Sequence, residues 1–455
     1  MSETTLDRQS LYGAIEDEAT QRAAFRGGAV PVAVYGLGKM GLPLAAVYAD
    51  VTGNTTGVDV DPSVVEQINA GRSPIQREPG LPELVAETVE AGELRATTDG
   101  DRAAEKAAVH VLMIPTLLTE EKTPDLSILD EVVSTVAAGL SPGDVVLVES
   151  TVPPRTTVDR ILPALIEESN CDVGEFGVAA CPERTVSGQA IADVRGTHPK
   201  VVGGVDAEST RAAALIYDEL SSNDVVSTSD ATTAEATKVF EGVFRDVNIA
   251  IANQLAVFAE EMDVDVNEAI EVANTQPFCD IHDPGPGVGG HCIPVYPYFL
   301  SGRFDADASL LTAARERNEA MPAYTASMVR AILEDEGVDP DGARALLLGV
   351  TYKANIAELR NTPSIPLARY LDDMGVTVSA VDPLVEDWDD AQPMVPLELT
   401  DAGTQPVDAV VLVTPHDEFL ELAWEEFDAP ILDGRGSIDV GATDATIYTV
   451  GGRWP

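Results

Sequence analysis

Lysine is scarce in this chain of 455 residues: Lys39, Lys106, Lys122, Lys200, Lys238 and Lys353 are its whole complement. With arginine included there are 28 basic residues against 77 acidic ones, a formal net charge of -49. Nothing in the sequence offers the basic stripe that phosphate neutralisation needs, which excludes nucleic acid as a partner. Cysteine is sparse too. Cys171, Cys181, Cys279 and Cys292 lack CxxC spacing, so neither a zinc knuckle nor a disulfide framework is indicated, and no metal is expected. No uncharged apolar run reaches the roughly 18 residues of a membrane span. Residues 1–29 read as a polar, acidic N-terminal extension, neither signal peptide nor anchor. The expectation is a soluble, cytoplasmic protein with no membrane partner.

What the chain has in excess is acid, spread through every domain-sized segment with no long run. The charge is therefore a property of the whole surface. Such a surface repels itself until the Debye length falls to about 3 Å near 1 M salt, so a halophilic setting is expected. A hydrophobic share of 45% is enough to fill about two to three domains with real cores.

From residue 30 to 61 the pattern reads strand, glycine turn, helix, strand. Gly36, Gly38 and Gly41 have G-x-G-x-x-G spacing, placing a helix N-terminus where a pyrophosphate can sit. Asp59 closes the next strand, where a carboxylate accepts from a ribose diol and repels a 2′-phosphate; that selects NAD. Apolar runs at 109–114 and 145–148 end at Thr116 and Thr151, on the crevice side of a parallel sheet, so both are candidates to face the nicotinamide. Glu183 follows another short apolar strand. Thr232 and Glu235 have capping-box spacing at the head of a long helix, on which Lys238, Gly242 and Arg245 share a face while Phe240, Val243, Val247, Ile251 and Leu255 trace an apolar stripe. A second helix over 306–335 is expected to be interrupted near Pro322. These two helices have more apolar face than one chain can bury, which points to a subunit interface. Strands and helices from 344 to 413 then repeat the βα alternation without a second glycine fingerprint.

Between the two helices lies GPGVGGHCIPVYPYF, residues 285–299. Gly285, Gly287, Gly289 and Gly290 are expected to bring backbone close to a ligand, while Pro284, Pro286, Pro294 and Pro297 stiffen the segment. Cys292, directly after His291, is placed as a nucleophile whose thiolate an imidazole and glycine amides favour.

The motifs YGLGKMGLPLA, ESTVPPRTT, CPERTVSG, FRDVNIAIANQL, GPGVGGHCIPVYPYF and TYKANIAELRNTPS, in that order, resemble the UDP-glucose/GDP-mannose dehydrogenase family across residues 30–440. The FRDVNIA helix, the CPER turn and GGHCIPV are most similar to its UDP-N-acetylhexosamine branch. The resemblance implies an α/β fold of a Rossmann NAD domain (30–228), a central helical dimerisation domain carrying the Cys loop (229–336) and a Rossmann-like UDP-binding domain (337–455). It implies four-electron oxidation of UDP-N-acetyl-D-mannosamine at C6 by two NAD+ in succession, with Cys292 as nucleophile, Lys238 stabilising oxyanions, and Glu183 and Thr116 positioning water and accepting protons. Lys353, Arg360 and Arg435 would hold the diphosphate and nucleotide, Gly289 would contact substrate, and Arg245, Asn248 and His291 would select the acetamido sugar. A homodimer or higher oligomer is implied, since in the family one arginine reaches the neighbouring site. Two positions depart from the family pattern: Gly242, usually Asn, and Tyr296, usually Asp. UDP-glucose and UDP-GlcNAc are alternative substrates. A single-hydride dehydrogenase of the hydroxyacid type and a catalytically decayed UDP-sugar binder are alternative readings.

Overall fold

Short runs such as VAVY and VVLV are apolar at every position, and they become strands buried on both faces. The computed structural model describes residues 8–439, 441 and 443–454; the first seven residues of the N-terminal extension lie outside them. Contacts divide the chain into two compact units, one running to Phe240 and taking in Tyr298–Phe304, the other made of Glu241–Pro297 and the chain from Asp305 onward.

In the first unit the strands are β1 (Val32–Tyr35), β2 (Thr55–Val58), β3 (Leu94–Thr97), β4 (Val109–Leu112), β5 (Leu117–Leu118), β6 (Pro124–Asp125), β7 (Val145–Val148), β8 (Gly177–Ala180), β9 (Lys200–Gly204) and β10 (Val225–Ser227). All but the β5-β6 pair form one sheet of order β10-β9-β8-β7-β4-β1-β2-β3. Strand order reverses beside β1, so the turn after Tyr35 stands at the switch point where a ligand crevice opens. Every pairing in this sheet is parallel except β8 with β9, where Ala180 lies opposite Gly203. Separate apolar clusters cover the two faces, one centred on Val34, Leu44 and Tyr48, the other on Tyr35, Leu112 and Val133. The extension packs on this unit. Its Glu18–Arg26 helix is capped by Asp17, Leu11 and Phe25 are buried, and Arg8 pairs with the buried Asp144.

In the second unit β11 (Arg344–Leu348), β12 (Thr377–Val381), β13 (Val395–Pro396), β14 (Ala409–Leu412), β15 (Ile431–Asp433) and β16 (Ile447–Thr449) form a sheet of order β13-β12-β11-β14-β15-β16. Its pairings are all parallel. Here the reversal falls between β11 and β14, and the TYKAN segment begins just past β11.

Two local expectations are corrected. Thr232 and Glu235 do not form a capping box. The Ala231–Ala256 helix starts earlier, and it is Asp230 that accepts the Thr233 N–H, at 2.8 Å. Glu235 instead turns into the protein, taking the N–H groups of Arg155 and Thr157 and the Thr157 hydroxyl, each at 2.7 Å. Buried donors with no other partner outcompete a cap that water can replace. Nor does Pro322 interrupt its helix, which runs unbroken from Ser309 to Asp335. The proline removes one hydrogen bond, but its ring is buried and packs beside Gly287.

Candidate active site

The glycine turn of the first unit is fixed by close approach. A Cβ on Gly36, whose φ is 90°, would lie 2.4 Å from the Met113 carbonyl oxygen, and one on Gly41 would lie 1.8 Å from that of Gly36. Gly38 differs, with nothing within 4 Å of its Cβ direction. It faces open space at the head of the Gly41–Thr52 helix, which has no side-chain cap, so the positive end of that helix can receive an anion. Asp59, just past β2, accepts the Leu37 N–H at 2.8 Å and the Asp61 N–H at 3.0 Å, one on each oxygen. Each oxygen keeps a lone pair for a ribose hydroxyl. The residues present fit a dinucleotide.

On the same crevice side the Thr116 hydroxyl donates to the Thr151 carbonyl at 2.9 Å, joining the ends of β4 and β7. Glu183 follows β8 in a turn that folds back on its own carboxylate: one oxygen accepts the N–H groups of Arg184 and Thr185, at 2.6 and 2.7 Å. Thr185 in turn donates to the Met40 sulfur beside the glycine turn, at 2.9 Å. Burial pushes the Glu183 carboxyl up, but Lys200, these two amides and Lys238 outweigh it and hold the group below the usual carboxylate range. Glu183 is therefore held as a carboxylate, the form that can accept a proton. Sequence reasoning missed Lys200, although lysine scarcity, which drew attention to Lys238, applied to it equally.

The second unit shows what the loop glycines are for. A Cβ on Gly289 would meet Tyr352 Cβ at 2.7 Å, one on Gly290 the Tyr352 ring at 2.7 Å, one on Gly287 Pro363 at 2.8 Å, and one on Gly285 the Arg435 guanidinium at 2.5 Å. The loop before Cys292 is thus pressed onto residues 352–363 and stitched there. Gly290 donates to the Arg360 carbonyl at 2.9 Å, and Asn361 donates to the Gly290 carbonyl at 2.8 Å. His291 lies beside the Cys292 sulfur and 3.7 Å from Glu358. The hydrogen bond with Cys292 raises the imidazole, burial opposes this, and the charges of Cys292 and Glu358 add to the rise. A protonated His291 favours the thiolate. Glu358, which sequence reasoning did not single out, also lies 3.5 Å from Arg360.

Arg435 donates to the carbonyl oxygens of Val413 and Gly287. Lys353 is lowered by partial burial and then by the charge of Arg245, so those two cations share one neighbourhood. Asn248 holds a neighbouring loop. Its amide donates to the Asp280 carbonyl at 2.6 Å and accepts the His282 N–H at 2.9 Å, so it shapes a loop with both ends of its side chain.

A carboxylate beside a glycine turn in one unit, and in the other a thiol loop laid against residues that follow a second parallel sheet's first strand, fit an NAD-dependent oxidoreductase. The chain belongs to the UDP-glucose/GDP-mannose dehydrogenase family: the family's NAD-binding domain matches residues 30–221, its central domain 232–320 and its UDP-binding domain 346–441. It is 35% identical over 413 residues to a UDP-N-acetyl-D-mannosamine dehydrogenase of Pyrococcus horikoshii, spanning 90% of this chain and 96% of that one. An NDP-N-acetyl-D-galactosaminuronic acid dehydrogenase of Ralstonia solanacearum is 35% identical over 416 residues, spanning 89% and 95%. The solved structure of the UDP-D-ManNAc dehydrogenase from P. horikoshii superposes with a TM-score of 0.85 at 33% identity, covering 93% of this chain and 99% of that one. The protein is an α/β NAD-dependent nucleotide-sugar dehydrogenase with an N-terminal NAD-binding domain, a central helical domain and a C-terminal UDP-binding domain. No helix among the described residues is long and apolar enough to cross a membrane.

Proposed function

We propose that this chain oxidises UDP-N-acetyl-D-mannosamine at C6 to UDP-N-acetyl-D-mannosaminuronate in two successive steps. The observation that carries this reading is the seating of the Cys292 loop on residues 352–363, which couples the nucleophile to the segment read as holding the UDP-sugar. NAD+, bound by the glycine turn and Asp59, supplies the hydride acceptor. Lys238 stabilises oxyanions on the C6 oxygen, and Glu183 and Thr116 receive protons and orient water. The Cys292 thiolate adds to the aldehyde carbon to give a thiohemiacetal; loss of hydride from that carbon leaves a thioester, and water cleaves it to carboxylate and thiol. Lys353, Arg360 and Arg435 draw the diphosphate, and Arg245 with His291 selects the acetamido sugar.

The working species is a homodimer or larger. Phe240, Phe244 and Ile251, 58%, 57% and 49% exposed on one long helix, support this. The acidic composition supports a halophilic cytoplasm, and a nucleotide-activated uronate would serve surface polysaccharide synthesis. A loss of melting temperature on raising KCl from 0.1 to about 1 M would count against the salt assignment.

The test is a panel of UDP-glucose, UDP-GlcNAc, UDP-GalNAc and UDP-ManNAc assayed for NADH in molar KCl. Two NADH per UDP-ManNAc are expected. One per sugar would leave a single-hydride dehydrogenase, and binding without NADH a catalytically decayed UDP-sugar binder. Cys292→Ser should keep NAD and UDP-sugar binding and stall the second oxidation; normal uronate production by that variant would refute the thioester route.

A further inference from the structure

Behind Glu183 lies a buried charge constellation that the proposed chemistry does not use. Because β9 runs antiparallel to β8, its first residue, Lys200, lies at the edge of the sheet where β7 and β8 end. A parallel β9 would have put it at the opposite edge. The Lys200 ammonium is 2.7 Å from one Glu149 oxygen and 3.7 Å from Glu183, with its side chain 12% exposed and that of Glu149 0%. Tyr217 donates to the other Glu149 oxygen, and its ring lies under the ammonium, 4.6 Å from nitrogen to centroid. A cavity of about 20 Å³ bordered by Glu183, Lys200 and Tyr217 can hold one water for the ammonium's remaining N–H.

We propose that Lys200 is a positioning residue for Glu183: fastened by Glu149 and Tyr217, its ammonium keeps Glu183 a carboxylate aimed at the crevice, ready to take a proton. One cation facing two buried carboxylates can neutralise only one of them. The groups around it divide accordingly. Burial pushes Glu149 up to about 7, with Lys200 opposing and Glu183 adding to the rise, while Tyr48 and Cys181 are close enough to feel its charge. Glu183, with two backbone amides and Lys238 in addition, is the one that stays ionised. Glu149 and Glu183 thus share one ammonium, and Glu183 has two backbone amides besides. The inference rests on reading Glu183 as the proton acceptor of the dehydrogenase.

Infrared titration of protonated carboxyl groups in the full-length protein without substrate tests it, alongside the pH profile of NADH formation. The wild type should show a buried carboxyl titrating near pH 7 that disappears in Glu149→Gln. In Lys200→Met a further carboxyl should become protonated near neutrality and vanish when Glu183→Gln is added. The acid limb of kcat/KM should move up by about one pH unit or more in Lys200→Met, and Lys200→Arg should restore it. Should Lys200→Met not fold, Lys200→Gln serves for the same measurements. A kcat lowered equally at every pH, with no new protonated carboxyl, would reduce Lys200 to a structural part and overturn the proposal. Full activity of Glu183→Gln would instead remove the acceptor reading, and the infrared result would stand apart from it.

Discussion

Tyr296 occupies the space that a side chain at position 242 would need: a Cβ on Gly242 would lie 2.1 Å from Tyr296 Cδ2. The two departures from the family pattern are therefore one coupled change, a large ring on one element accommodated by the loss of a side chain on another. Tyr296 is buried, 6% exposed. Gly242→Ala should cost about 1–3 kcal/mol by overpacking, despite alanine's better helix propensity. In Tyr296→Ala the same substitution should be tolerated. A thermal-melting double-mutant cycle returning additive effects would show that the contact carries no energy.

Asp59 holds the glycine turn and is read as holding the ribose as well. Asp59→Ala removes the acceptor for Leu37 and Asp61, so NAD should bind about tenfold or more weakly, equivalent to about 1.4 kcal/mol. Discrimination against NADP should fall with it. Calorimetry with both dinucleotides checks this, and unchanged selectivity would remove Asp59 from the cofactor contacts.

Glu235 should make stability pH-dependent. Burial pushes its carboxyl up to about 7, with the hydroxyl and backbone N–H of Thr157 and the N–H of Arg155 opposing. The folded state then holds this proton more tightly than the unfolded chain, so the stabilisation is complete below the usual Glu range near 4.3 and is lost as pH rises through about 7. Chemical denaturation between pH 5 and 8 should show stability falling, and Glu235→Gln should flatten that slope. An unchanged slope would mean that other groups, Glu149 first among them, set it.

Asp382 should matter to the nucleotide without touching it. One of its oxygens accepts the N–H groups of Val350 and Thr351, at 2.6 and 2.9 Å, and lies 3.0 Å from His416 Nε2. His416 Nδ1 accepts the Asn355 N–H at 2.9 Å, so the pair clamps both ends of the TYKAN segment. Asp382→Asn should weaken UDP binding about 10-fold or more and leave NAD affinity unchanged. Equal loss of both ligands would point to general unfolding instead.

Much of this was legible in the sequence where chemistry and local pattern coincide. The glycine turn, Asp59 and the crevice-side ends of β4, β7 and β8 follow from strand context and spacing alone. Thr116 and Thr151 were read as neighbours in role and are hydrogen-bonded. Glu235 was misread because a capping spacing is satisfied by sequence, whereas its actual partners, Arg155 and Thr157, are some 80 positions away. Lys200 was passed over for a related reason. KVVGG reads as an ordinary strand start, and only the reversal of β9 carries that lysine to the chemical edge of the sheet. The loop glycines were read as bringing backbone close to a ligand; what lies against them is the chain's own Tyr352, Pro363 and Arg435, in a part of the sequence that no local pattern connects to them.

That contact limits how the protein can be altered. A methyl group added at Gly287, Gly289 or Gly290 must move either the thiol loop or residues 352–363, and one at Gly285 must displace the Arg435 guanidinium. Redesign of sugar preference around Cys292 therefore has to vary 352–363 in the same library; mutagenesis confined to one side should return mostly inactive protein.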